Sequence, residues 1–187
     1  MKKFCLTISL LPFLFAATAY AHGPVRQKVE EKITINAPAQ KVWGIIKEYG
    51  DMSWLPAVKS TTVNGGNSEG ATRVLTLQDG GTITEELKKY DEGKMSYAYK
   101  ISEMSTAKTI THAGAEEKVP VLPVDNYAAS IDLEAKGEAT LVTWKAGFYR
   151  AYVNNNPPPE MNEEVANTAV KGIFKAGLEN LKSLAEK

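Results

Sequence analysis

The chain has 187 residues, of which 24% are charged and 43% hydrophobic, and its 22 basic side chains are matched by 22 acidic ones. This balance argues against nucleic acid or an anionic membrane surface as partner, because both demand clustered positive charge. No internal repeat, low-complexity tract or linker interrupts the chain, and its length suits one domain with a well-buried core.

The first residues read "MKKFCLTISLLPFLFAATAYAHG", with Lys2 and Lys3, an apolar run from Phe4 to Ala17, and Ala19-Tyr20-Ala21 as a small-x-small cleavage site. A spanning helix needs ~20 apolar residues, more than this run supplies. Residues 1–21 are therefore expected to be a signal peptide cleaved after Ala21, leaving no membrane anchor. Cys5 lies inside the apolar run rather than at a processing site, which argues against a lipoprotein. Cleavage would leave 166 residues without cysteine, and the lysine-type signal suggests a bacterial periplasm. An exported domain without disulfides depends on its core.

After an arm at 22–28, the domain is expected to fill 29–187. "VEEKITINA" (29–37) alternates as a strand, and Pro38 then opens a helix, where its missing N–H does no harm. Val42, Ile45, Ile46 and Tyr49 form that helix's apolar face, and Gly50 ends it. Beyond the connector "DMSWLP", alternating segments at 57–64, 71–78, 82–90 and 94–102 are separated by "NGGNSEG", "DGG" and "DEGK", which is hairpin chemistry. The stretch 103–124 lacks regular alternation; strands at 126–135 and 139–152 then flank "AKGEA". In the last segment, Asn156 and the prolines mark a helix start. Glu160, Glu163 and Glu164 suit its positive end, and Met161, Val165, Ala169, Ile173, Ala176, Leu178, Leu181 and Leu184 make a broad apolar stripe. A helix over 160–186 would be about 40 Å long. The predicted fold is α+β: a curved seven-stranded antiparallel sheet around a long C-terminal helix, with two short helices after the first strand.

That order of elements, carrying "YGDMSWLPAV", "GATRVLTLQDGGTITEEL", "YDEGKMSYAYKI", "LPVDNYAASIDL" and "TLVTWKAGFY", resembles the START-like, polyketide-cyclase-type (SRPBCC) superfamily, whose fold is the helix grip. The resemblance spans about residues 29–186. Within it, an exported chain with the mature start "HGPVRQKVEEK" is similar to the MxaD-type accessory proteins of bacterial methanol oxidation. The superfamily implies an internal cavity with Trp54 at its mouth, either as a plug for the end of the core or as a lid touching a ligand.

Strand parity points two charges inward. Ile83, Glu85 and Leu87 share the apolar face of one strand, Arg73, Leu75 and Leu77 that of its neighbour, and the "DGG" turn sets Arg73 opposite or diagonal to Glu85. The pair is either a structural brace or a polar anchor for a ligand or for acid–base chemistry. By the same parity Tyr97, Tyr99 and Ile101 face inward, with Tyr127, Ala129, Ile131 and Leu133, and then Val142, Trp144, Ala146 and Phe148. Ala169, Gly172, Ala176 and Gly177 of the long helix are expected opposite them. The candidate cavity lining is thus Trp54, Arg73, Leu75, Glu85, Tyr97, Tyr99, Tyr127, Trp144, Phe148 and Ile173.

Nucleophilic catalysis is poorly supported, because the mature chain has no cysteine and no G-x-S-x-G elbow, and its glycines match no phosphate-binding loop. His22 and His112 are the only imidazoles, a weak case for copper, and no cofactor is implied. The expectation is a non-enzymatic periplasmic protein. The MxaD-type resemblance implies that it assists a quinoprotein methanol dehydrogenase with its cytochrome c acceptor. The segment 103–124, with His112, Glu116, Glu117 and Lys118, and "AYVNNNPPPE" are the candidate contact loops. The alternatives are a carrier or sensor of a small hydrophobic ligand and a cyclase-like enzyme with Glu85, Arg73 and a tyrosine in acid–base roles.

Overall fold

The computed structural model describes residues 23–187. The expected signal peptide and His22 lie outside the described residues. β1 (Gln27–Ile35) leads into α1 (Ala39–Ile46), and β2 (Val58–Asn64), β3 (Thr72–Leu77), β4 (Thr82–Asp91) and β5 (Ser96–Met104) follow as successive hairpins. β6 (Thr106–His112) and β7 (Ala115–Pro120) come next, then β8 (Val124–Lys136), β9 (Ala139–Arg150) and α2 (Glu163–Ala185). Among the described residues, seven strands form one antiparallel sheet in the order β1-β9-β8-β5-β4-β3-β2, while β6 and β7 pair only with each other. This is the helix-grip architecture expected from the pattern, with two differences.

The first concerns the second short helix, which does not form. Residues 51–57 instead make consecutive turns, with Leu55 N–H donating to Met52 O and Val58 N–H to Leu55 O. Pro56 has no N–H to extend a helix and disfavours helical geometry at Leu55. The second difference is that 103–124, which shows no pattern in sequence, holds the β6–β7 ribbon. Ala113 and Gly114 turn it with φ of 50° and 82°, and one of its strands buries a single side chain, Val119. A ribbon with both faces largely in water has no alternation to display.

α2 starts cleanly. Asn162 caps it by accepting from Val165 N–H at 2.9 Å, and Glu163 and Glu164 occupy the first turn. Its buried residues are Ala166, Val170, Phe174, Gly177, Leu178, Leu181 and Ala185. The helix is therefore rotated from the expected stripe: Gly172 and Ala176 are exposed, and Ala169 and Ile173 are half-buried. Phe174, the largest side chain on the helix, takes the centre and stacks on Trp144 at 4.1 Å between ring centroids.

Gly177 makes the close approach possible. A Cβ there would lie 2.7 Å from Leu55, 2.9 Å from Trp144 and 3.3 Å from Trp54. Gly177→Ala gains about 1 kcal/mol of helix propensity. It also drives a methyl into rigid indole rings, and overpacking of that kind costs about 1–3 kcal/mol. Net destabilisation is expected in urea unfolding; a more stable variant would show that the rings can shift.

Candidate functional site

Arg73 and Glu85 stand directly opposite each other in the β3–β4 register. Arg73 Nε donates to Glu85 Oε2 at 2.6 Å and Nη1 donates to Tyr49 O at 2.7 Å, so α1's C-terminal extension is tied to the sheet from within. Both side chains are buried, Arg73 to 1% residual exposure and Glu85 to 7%. The guanidinium lies 4.1 Å from the centre of the Tyr49 ring and 5.0 Å from that of Tyr99, in cation–π contact with both. Arg73 Nη2 and the Tyr49 hydroxyl have no hydrogen-bond partner among the described residues.

Burial pushes the Glu85 carboxyl above its ordinary value, and the charge and hydrogen bond of Arg73 oppose that rise without cancelling it. Burial also works against the Arg73 charge, but Glu85 and the surrounding tyrosines outweigh it and the guanidinium stays ionised. Burial likewise raises Tyr49, Tyr97, Tyr99 and Tyr127, so these phenols remain protonated. Among these groups only Glu85 has the chemistry to accept a proton. Because its folded pKa lies above its unfolded one, its contribution to stability is full at low pH. That contribution is lost as pH rises from the ordinary 4.5 through the raised value. Glu85→Gln cannot ionise and lacks this loss. The stability gap between the protein and Glu85→Gln should narrow as pH rises above the ordinary 4.5 in denaturant titrations; a widening gap would reverse the assignment.

Next to the pair lies a hollow between the sheet and α2. Of the ten expected lining residues, Leu75, Glu85, Tyr99, Tyr127, Trp144 and Ile173 border it. Trp54, Arg73, Tyr97 and Phe148 are buried close by but are not on its wall. Its other walls include Met52, Leu55, Leu122, Val170 and Phe174, which parity along the sheet could not reveal because they come from turns and from the helix. Trp144 Nε1 donates to the Tyr99 hydroxyl at 3.1 Å, which settles two polar atoms inside this apolar wall. The volume is about 40 Å³. That is room for a few water molecules, against the ~300–1,000 Å³ of pockets that hold drug-sized ligands.

Trp54 is 1% exposed, packs on Trp144 at 5.3 Å between centroids, and has no partner for its indole N–H among the described residues. Its carbonyl accepts from Asn180 Nδ2 at 2.8 Å, fastening the 51–57 turns to α2. In this conformation it fills the end of the core.

At the sheet's other end, the two candidate contact loops meet. His112 Nε2 lies 2.8 Å from Asn156 O, its ring sits edge-on to Tyr152 at 5.3 Å, and Lys108 reaches Glu160 at 3.3 Å. Beneath them Arg150, which sequence reading missed, donates from Nε to Tyr152 O at 2.7 Å and from Nη2 to Asn154 O at 2.8 Å. It also pairs with Glu163 at the start of α2. Extending the inward parity of Trp144, Ala146 and Phe148 by one step would have found it.

The sequence profile described as "Polyketide cyclase / dehydrase and lipid transport" matches residues 26–186. The chain belongs to that family. Among solved structures, it is similar to the protein XoxI from Bacillus cereus, at 25% identity and TM-score 0.65, over 84% of this chain and 94% of that one. It shares its fold with Ara h 8.0201, at 18% identity and TM-score 0.62, over 86% and 98% of the two chains. It also shares it with norcoclaurine synthase from Thalictrum flavum, solved with dopamine and hydroxybenzaldehyde, at 14% identity and TM-score 0.60, over 97% and 96%. No curated protein matches the chain.

Proposed function

We propose that this family member is a non-enzymatic accessory protein of methanol oxidation, exported to the periplasm, that assists a quinoprotein methanol dehydrogenase in meeting its cytochrome c acceptor. The sequence resemblance to MxaD-type proteins motivates the reading. The observation that carries it is the size of the interior: a hollow of about 40 Å³, narrowed by Phe174 and Trp144, favours work done at the surface. The surface offers a built feature for it in the β6–β7 ribbon, locked by His112 and Lys108 onto the segment that Arg150 organises. Affinity capture on the tagged protein from methanol-grown cells should recover the dehydrogenase or the cytochrome. Recovery of neither contradicts the proposal.

The second reading, a carrier or sensor of a small hydrophobic molecule, draws on the mostly apolar wall around Glu85, Tyr99 and Tyr127. It requires α2 or the 51–57 turns to move outward before a ligand fits. The third, a cyclase-like enzyme, needs the same opening and would rely on Glu85 as its base.

A further inference from the structure

The β5–β8 ladder stops short. Its last pair is Lys100↔Ala128, yet β5 continues to Met104 and β8 reaches back to Val124. Residues 101–104 and 124–127 therefore run on beyond the ladder without pairing to each other. The cause is local: the β8–β9 register breaks between Asp125 and Ala128, and Asn126 adopts a φ of 47°, which turns β8 aside. Between the parted strands lies an open cleft of about 330 Å³, bordered by Ile101, Met104, Val124 and Tyr127 and by Thr106 and Lys118 of the ribbon.

Unpaired strand edges are templates for another chain, and peptide-binding domains use them by adding an extended segment through main-chain hydrogen bonds. The acidic side chains on this cleft, Glu103 and Asp125, are both exposed and outnumber its one lysine, Lys118. We propose that the cleft takes an extended segment of a protein partner, paired through its backbone to residues 101–104, with a basic side chain set between Glu103 and Asp125. This rests on the reading that the chain acts through a protein partner and states where that partner engages.

The test is an amide NMR titration of the mature chain with an eight-residue peptide alternating valine and threonine with lysine, and with the same peptide N-methylated at alternate amides. Shift changes should concentrate at 101–104 and 124–127, and N-methylation should weaken binding by about tenfold. The double charge reversal Glu103→Lys/Asp125→Lys should weaken it by about fivefold. No response at 101–104, or equal binding of the N-methylated peptide, overturns the proposal. A negative titration beside a successful capture of the dehydrogenase or cytochrome removes the cleft and leaves the functional reading standing.

Discussion

Glu85→Ala is expected to destabilise the protein by about 3–5 kcal/mol, because it leaves the Arg73 guanidinium buried with its charge unanswered. Arg73→Met should do less harm, since a carboxyl already pushed towards its neutral form can take up a proton once its partner is gone. The double variant Arg73→Met/Glu85→Leu should recover most of the loss and can exceed the parent by about 1–4 kcal/mol, as apolar replacements of buried ion pairs do elsewhere. Urea unfolding of the parent, Glu85→Leu, Arg73→Met and the double variant measures the cycle, with Glu85→Ala as a further single variant. If the pair is a brace and the surface does the work, the double variant keeps its partner binding. Loss of partner binding in a well-folded double variant would give the pair a functional role.

Trp54→Ala should also be severe, at about 3–5 kcal/mol, for it removes a fully buried ring that holds Trp144 in place and leaves a void against Gly177. Trp54→Phe should stay within about 1.5 kcal/mol, since the lost indole N–H has no partner among the described residues. A lid gives the opposite pattern, with little change in stability and a large change in ligand retention. Thermal unfolding of both variants separates the two.

Much of this was legible because strands impose a period of two. The Arg73–Glu85 contact followed from parity and a short turn, with no reference to any relative. The inward tyrosines followed in the same way. Volume was not legible: a face of aromatic residues opposite small helical ones describes a cavity and a packed core equally well. What decided between them was the rotation of α2, which brings Phe174 rather than Ile173 to the centre, and the stripe of apolar residues was too broad to fix that angle. The β6–β7 ribbon escaped because solvent on both faces leaves no periodic signal. The cleft between β5 and β8 depends on one bulge and one left-handed asparagine, which alternation does not encode.

The proposed function requires an interior closed to metabolites and a protein that acts from its surface. Native mass spectrometry of protein purified from its own cells tests this most directly. The expected result is the mass of the mature polypeptide alone; a small organic molecule retained in stoichiometric amount would contradict the proposed function.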